Sequence, residues 1–365
     1  MHLVRKSWLI AMLLTLSCLA LPASATHFSN HVFTMSNAAD GNEIFMFVHV
    51  PRFGLFPTGQ VATGGNGSGG GLGNQNGLIL SDDQQWLYAV NPGSDSISVF
   101  RVYRFGIALV ETVHSDGVQP ISLTLHDNLL YVLNGGSDSI AGFSVEDGHL
   151  TPLADSVRPL SGNGTGPAQI SFTPWGDTLI VTEKNTNLIA TFALNDEGLA
   201  ESTVFTPSTV ATPFGFGFDR YGHLLVTEAA GGAPDASAVS SYDLDDDGGL
   251  TVLDGGVATN ETAACWLVTS RNGRTAFVTN TGSGTISAFT VNRRGDLRLT
   301  TSDGISASTG TGTAPIDMAL SSNGKYLFAL ASGNIVAYRV IGNKFLRQIR
   351  GATDLPGSSN GLVAF

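Results

Sequence analysis

Cysteine is nearly absent from this chain of 365 residues, which contains only Cys18 and Cys265. Cys18 lies within a predicted leader peptide, so the mature chain keeps one thiol and no intrachain disulfide is expected. The apolar neighbours of Cys265 favour a buried structural thiol over a reactive one. A protein without this crosslink depends on packing for its stability.

Long hydrophobic runs are also lacking, apart from residues 9–21. Arg5 and Lys6 precede this run, and Ala23-Ser24-Ala25 follows it as a small-residue cleavage site. The run is too short for a typical membrane span. We therefore predict a signal peptide over residues 1–25, a single domain over residues 26–365, and a secreted or periplasmic location.

Positive charge is scarce, since 18 Lys and Arg face 30 Asp and Glu and give a formal net charge of −12. This balance makes nucleic acid and anionic membranes poor partners for the chain as a whole. The glycine-rich residues 64–77 contain no Lys, so they do not form a phosphate-binding P-loop.

What the sequence does contain is a sevenfold repeat, in which an aliphatic residue is followed three positions later by an aromatic one. The pairs recur at intervals of 43 to 53 residues and are Ile44/Phe47, Ile97/Phe100, Ile140/Phe143, Ile189/Phe192, Val239/Tyr242, Ile286/Phe289 and Ile335/Tyr338. Residues three apart on a strand point to opposite faces. Each pair therefore predicts a strand that is covered on both faces, as in a blade between two neighbouring blades.

The two ends of the chain predict how the array closes. Residues 32–62 contain three apolar strands but no innermost strand, and the C-terminal segment 360–365 resembles the innermost strand at residues 76–81. We therefore predict an all-β, seven-bladed β-propeller in which the C-terminal strand completes the N-terminal blade.

Two of the predicted strands resemble the Tyr-Val-Thr-Asn propeller repeat. They are Tyr131-Val132-Leu133-Asn134 and Phe277-Val278-Thr279-Asn280. The mature chain is similar to the seven-bladed lactonase propeller family, which includes carboxymuconate-lactonizing enzymes and phosphogluconolactonases. That resemblance implies an active site at the mouth of the central channel.

The family motifs match this chain only in part. In the family, an inner strand carries Gly-Pro-Arg-His and the next strand ends in Asn-Glu. Here the corresponding residues are Gly166-Pro167-Ala168-Gln169 and Thr182-Glu183. The Glu is kept, whereas Ala168 and Gln169 replace the Arg and the His that the resemblance associates with the lactone carboxylate.

Antiparallel inner strands place one group of side chains at the same end of the channel. We predict Glu183, Glu228 and Asp317 as catalytic residues there, and Gln169, Lys184, Phe214, Glu261 and Trp266 as substrate-binding residues. Glu183 and Glu228 stand where most other blades have Asn, and two close carboxylates can serve as acid and base. The alternative for this pair is a turn cap that binds backbone N–H groups. For Asp317 the alternative is a solvated channel residue, and Trp266 either stacks on a ring or plugs the channel.

One further motif has the acidic spacing of a calcium loop. Asp243, Asp245 and Asp247 alternate before Gly248. The alternative is an ordinary acidic glycine turn between two strands.

Two functions of different classes follow from these observations. The first is a lactonase-like enzyme, either a hydrolase or a lactonizing isomerase, with no cofactor unless calcium is bound. The second is a non-catalytic propeller that binds a protein or glycan surface. The acidic composition favours a small neutral or cationic ligand, and we expect a monomer.

Overall fold

The computed structural model describes residues 31–342 and 344–365, so the predicted signal peptide lies outside the described residues. The described chain forms seven antiparallel sheets with four main strands each. In six of the seven sheets the main strands follow one another in chain order from the innermost strand outward. The predicted seven-bladed β-propeller is confirmed.

The strands of the first three blades are short and mostly joined by tight turns. They are β1 (His31–Met35), β2 (Glu43–Val50), β3 (Gly54–Ala62), β4 (Leu78–Leu80), β5 (Trp86–Asn91), β6 (Ser96–Tyr103), β7 (Gly106–His114), β8 (Pro120–His126), β9 (Leu129–Asn134), β10 (Ser139–Glu146), β11 (His149–Pro152) and β12 (Arg158–Pro159).

The remaining blades repeat this plan, with a short 3₁₀ turn at Ala230–Gly232. Their strands are β13 (Pro167–Phe172), β14 (Thr178–Glu183), β15 (Leu188–Leu194), β16 (Ala200–Pro207), β17 (Pro213–Phe218), β18 (Leu224–Glu228), β19 (Ala238–Leu244), β20 (Leu250–Ala258), β21 (Ala264–Thr269), β22 (Thr275–Asn280), β23 (Thr285–Val291), β24 (Leu297–Leu299), β25 (Ala307–Ser308), β26 (Pro315–Leu320), β27 (Tyr326–Ala331), β28 (Asn334–Ile341) and β29 (Phe345–Ala352). The last strand, β30 (Asn360–Ala364), returns to the first blade.

The ring closes through the last strand. The first blade has the strand order β3-β2-β1-β30, so the C-terminal strand is its innermost member. Antiparallel pairing places Thr34 opposite Leu362 and Phe33 opposite Val363. The Thr34 hydroxyl donates to the Gly361 carbonyl at 2.6 Å, and the Phe365 ring packs edge-on against Phe33. The predicted closure is confirmed.

The aliphatic–aromatic pairs lie on the third strand of every blade and are buried throughout. In the third blade, Ile140 packs into the core shared with the fourth blade, whereas Phe143 packs into the core shared with the second. Ile286 and Phe289 divide in the same way between the seventh and fifth blades. Both faces of these strands are therefore covered, which is why the repeat has an apolar residue on each face.

No helix within residues 31–342 and 344–365 is long and apolar enough to cross a membrane.

Candidate functional site

The mouth of the central channel is filled by the segment that leads into β4. We call residues 72–77 the plug. The Gln75 backbone N–H donates to the Ala168 carbonyl at 3.0 Å, and the Leu123 N–H donates to the Asn76 carbonyl at 2.9 Å. The plug is thus joined to the inner strands of the third and fourth blades.

The Gln75 side chain attaches the plug to the opposite side of the ring. Its amide donates to the Leu267 carbonyl at 2.8 Å and accepts from the Leu267 N–H at 3.0 Å. The Trp266 indole N–H donates to the Asn74 carbonyl at 2.7 Å. A Cβ atom at Gly215 would overlap the Gln75 amide oxygen, so the plug requires glycine at that position.

Lys184 lies beside the plug as a partly buried amine. Its Nζ atom donates to the Gly73 carbonyl at 2.5 Å and to the Pro167 carbonyl at 3.0 Å. The Phe214 ring lies 4.9 Å from Nζ, and the Trp266 ring lies 4.8 Å from that of Phe214. Removal from water lowers the pKa of the Lys184 amine to about 8. The mouth therefore holds a basic group that titrates near neutral pH beside two aromatic rings.

Gln169 and Asp317 lie on inner strands and connect neighbouring blades. The Gln169 amide accepts from the Phe216 N–H at 2.7 Å and donates to the Phe216 carbonyl at 3.1 Å. The Asp317 carboxyl accepts from its neighbouring Met318 N–H at 2.7 Å and from the Leu362 N–H of the closing strand. Burial raises the pKa of Asp317 to about 8, so this carboxyl holds a proton at neutral pH.

Glu183 occupies the end of a second strand and binds the loop that enters its blade and the turn that follows its own strand. One carboxylate oxygen accepts from the Ser161 N–H at 3.0 Å. The other accepts from the Ser161 hydroxyl and, at 2.7 Å, from the Thr186 hydroxyl. The side chain is fully buried.

Glu228 has the equivalent place in the next blade. It accepts from the Val210 N–H and the Tyr242 hydroxyl, each at 3.0 Å, and from the Ser240 hydroxyl at 2.6 Å. Burial raises the pKa of Glu228. Glu183 and Glu228 share no hydrogen-bond partner, so these contacts do not bring them together. Their role as an acid–base pair stays a prediction, while their contacts are those of loop caps.

Glu261 precedes an inner strand and also binds within its blade. Its carboxylate accepts from the Thr285 hydroxyl at 2.7 Å, and the residue is almost completely buried. The structure therefore brings Lys184, Phe214 and Trp266 together at the mouth, whereas Glu183, Glu228 and Glu261 each cap a loop.

Asp243 lies in β19, where it is paired with Thr251 of β20, whereas Asp245, Asp246 and Asp247 belong to the turn between these two strands. The Asp247 carboxylate accepts from the Gly249 N–H at 3.0 Å, and Asp245 accepts from the Thr251 hydroxyl at 2.8 Å. No three His, Cys, Asp or Glu side chains in the described part of the chain are arranged to hold a metal ion. Calcium binding at this turn stays a prediction.

The plug is the feature that sequence reasoning missed. The glycine-rich residues 64–77 indicated a loop before β4, and that loop is present. Gln75 and Asn74 carried no repeat signal, and their partners lie 192 residues further along the chain. The one available sign was an Asn and a Gln beside glycines, which is compatible with any polar loop.

Comparison with known proteins supports a lactonase-like propeller. Residues 56–162 match the family described as lactonase, 7-bladed beta-propeller, which confirms the resemblance over that segment. No curated protein matches the chain.

Solved structures share the architecture at low sequence identity. The periplasmic gluconolactonase PpgL of Pseudomonas aeruginosa is 17% identical, with a TM-score of 0.71, and the alignment covers 92% of this chain and 98% of that one. A candidate 6-phosphogluconolactonase of Bacteroides uniformis is 18% identical, with a TM-score of 0.71, covering 91% of this chain and 99% of that one. At these identities the likeness establishes the fold.

Proposed function

We propose that this chain hydrolyses a small uncharged lactone at the mouth of its channel, with Lys184 transferring the proton. The observation that supports this proposal is the Lys184 amine, which is partly buried, has a pKa of about 8 and lies against the Phe214 ring. An amine that titrates near the working pH is suited to general acid–base catalysis. The similarity to lactonase propellers indicates the substrate class.

The charges at the mouth favour a substrate without phosphate. Lys184 is the only Lys or Arg among the mouth residues described above, and its contacts include no carboxylate. A phosphate group is usually bound by several cationic or N–H donors. The Phe214 and Trp266 rings offer instead an apolar surface of the kind that stacks on a sugar or lactone ring.

The reaction needs one proton to be moved and returned. The neutral Lys184 amine accepts a proton from water while the water oxygen attacks the lactone carbonyl carbon. The bond between that carbon and the ring oxygen then breaks. The Lys184 ammonium returns the proton to the leaving alkoxide, and the product is an open-chain hydroxy acid whose carboxyl proton passes to the solvent.

Entry of the substrate requires the plug to leave Lys184. The contacts to be broken near the amine are those of Lys184 with the Gly73 carbonyl and of Trp266 with the Asn74 carbonyl. Glycines at positions 64, 65, 67, 69, 70, 71 and 73 give the preceding loop a wide choice of backbone conformations. Export of the protein, as predicted from residues 1–25, would place this activity outside the cytoplasm.

Lys184→Met tests the proposal in an assay of the purified protein against a panel of uncharged and phosphorylated lactones. We expect kcat for an uncharged lactone to fall about 10²- to 10⁴-fold, which is the usual contribution of a general base. In the wild-type protein kcat/KM should rise with pH up to about 8 and then level off, after subtraction of the uncatalysed rate. Lys325→Met removes an exposed lysine and serves as the matched control.

The same assay separates this proposal from its alternatives. Turnover that survives Lys184→Met but is lost in Glu183→Gln would support the predicted carboxylate mechanism instead. If no lactone on the panel is hydrolysed or formed by the wild-type protein, the non-catalytic binding function becomes the better explanation.

A further inference from the structure

The turns between the third and fourth strands share a composition in three adjacent blades. In the seventh, first and second blades a cation is followed directly by phenylalanine, in Lys344-Phe345, Arg52-Phe53 and Arg104-Phe105. We call these three pairs the basic–aromatic arc. The equivalent turn of the sixth blade contains Arg293 and Arg294, which extend the positive charge.

The other three blades have the opposite charge at this position. Their turns contain Glu146 and Asp147 in the third blade, Asp196 and Glu197 in the fourth, and Asp245, Asp246 and Asp247 in the fifth. One face of the ring is therefore divided into a basic side and an acidic side, although the formal net charge of the chain is −12.

The aromatic rings of the arc are exposed. Phe53 is 66% exposed, Phe105 is 85% exposed and Phe345 is 52% exposed. The Arg104 guanidinium and the Lys344 amine each lie 5.0 Å from the neighbouring phenylalanine ring. In the part of the chain that the structure describes, every ion pair involves a histidine, so these cations are not neutralised by a carboxylate.

All three turns belong to the face opposite the plug. Because the four strands of a blade are antiparallel, the turn between the third and fourth strands lies at the end of the blade where the inner strand ends. The plug leads into the beginning of the inner strand β4 and therefore lies at the other end. Gly54 packs so closely on the seventh blade that a Cβ atom there would overlap the Arg350 carbonyl. Gly106 lies beside the Met46 side chain of the first blade. The three turns are therefore consecutive along one rim.

We propose that the basic–aromatic arc docks the protein on an anionic lipid bilayer. Exposed aromatic rings beside Lys or Arg are suited to the headgroup region, where the rings enter the interface and the cations meet lipid phosphates. A net negative charge does not prevent this contact, because salt screens charges beyond about 10 Å and the acidic turns lie on other blades. In this orientation the plug faces away from the bilayer.

The shape of the arc favours lipid over an acidic protein. The rings project from separate turns of three blades, and phenylalanine has no polar atom with which to make a directed contact. A fluid bilayer can take up the phenylalanine rings whatever the distance between the three turns, because its lipids rearrange around each ring. A protein partner would need one matching pocket for each ring.

Co-sedimentation with vesicles tests the proposal on the full mature protein. We expect wild-type protein to bind vesicles of phosphatidylcholine mixed with phosphatidylserine, and to bind pure phosphatidylcholine vesicles far less. High salt should release it. The triple variant Arg52→Gln, Arg104→Gln, Lys344→Gln should bind about a hundredfold less tightly, since each cation near an anionic surface contributes about 1 kcal/mol.

A second triple variant and a matched control complete the test. Phe53→Ser, Phe105→Ser, Phe345→Ser should also weaken vesicle binding while leaving the melting temperature unchanged, because these rings are exposed. Asp147→Asn, Asp196→Asn, Asp246→Asn changes the acidic turns and should leave binding equal or tighter. Absence of wild-type binding to anionic vesicles overturns the proposal, as does binding that both triple variants retain. Binding to polyglutamate that is insensitive to the Phe substitutions would indicate an acidic macromolecule instead.

Discussion

Asp317 makes the stability of the ring depend on pH. Its pKa is raised to about 8 by burial, whereas an exposed aspartate in the unfolded chain titrates near 3.9. Between these values the folded protein binds the proton and the unfolded protein does not. The contribution of this group to the free energy of unfolding is therefore greatest at low pH and is lost as the pH rises through about 8.

Asp317→Asn should remove this dependence. The amide oxygen still accepts from the Met318 and Leu362 N–H groups, and no proton has to be bound for burial. We expect the variant to melt several degrees higher than the wild type at pH 8, with the difference shrinking towards pH 4. Differential scanning calorimetry across this range measures it, with the exposed Asp147→Asn as the control. An equal difference at every pH would show that the Asp317 carboxyl does not titrate as described.

For single residues, the sequence pattern predicts where a side chain lies in the fold better than it predicts what the side chain does. Glu183 and Glu228 were recognised because they replace Asn at the ends of second strands, and they lie at those ends. Asn91 binds the Ser98 hydroxyl at 2.7 Å from the equivalent place, so the alternative of a turn cap agrees with the contacts. Which neighbour a buried carboxylate meets depends on loop packing, and a single sequence does not contain that information.

The plug is an element whose position depends on one glycine in another blade. Gly215 leaves space for the Gln75 amide, which pairs with both backbone groups of Leu267. Gly215→Ala should displace that amide and destabilise the protein by about 1–3 kcal/mol, as overpacking of a tight interior usually does.

Hydrogen exchange of the plug gives the direct measurement. The Gln75 N–H donates to Ala168 and should exchange faster in Gly215→Ala than in the wild type, because the plug is held less firmly. Gly70→Ala is the matched control, since a Cβ atom at Gly70 meets no atom within 4 Å. Unchanged exchange in Gly215→Ala would mean that the plug does not depend on this packing.

Strands were predictable from sequence where the plug was not, for a physical reason. A strand that packs on both faces needs apolar residues at fixed spacing, so Ile140 and Phe143 reveal their strand without knowledge of their partners. The plug forms no strand, and its polar contacts reach Trp266 and Leu267 across the ring. Contacts of this kind leave no periodic trace in the chain.

Charge is unevenly distributed over the surface of the whole molecule, and the net charge does not show this uneven distribution. The net charge of −12 predicted weak affinity for anionic surfaces. The fold nevertheless collects Arg52, Arg104 and Lys344 on one rim, because equivalent turns of successive blades meet on the same face. A repeat fold thus converts small differences between repeats into a surface pattern, which can be recognised only after the blades have been aligned.

The closing strand should determine the stability of the whole ring. The N-terminal part of the described chain contributes β1, β2 and β3 to the first blade. The innermost strand of that blade, β30, comes from the C-terminal end of the chain. Deletion of residues 361–365 removes the pairing of β1 with β30 and the packing of Phe365 on Phe33 and His31. It also removes Leu362, whose N–H binds Asp317 of the seventh blade, and leaves β1 as an unpaired inner edge.

We therefore expect the truncated protein to melt far below the wild type or to aggregate, because the first blade loses its innermost strand and the seventh blade loses its contact with that strand. Calorimetry and size-exclusion chromatography measure the two outcomes. Val363→Ala keeps the strand and trims a half-buried side chain, so this control should lower the melting temperature only slightly. If the truncated protein melts like Val363→Ala, the ring does not depend on its closing strand, and the other blade contacts suffice to hold it together.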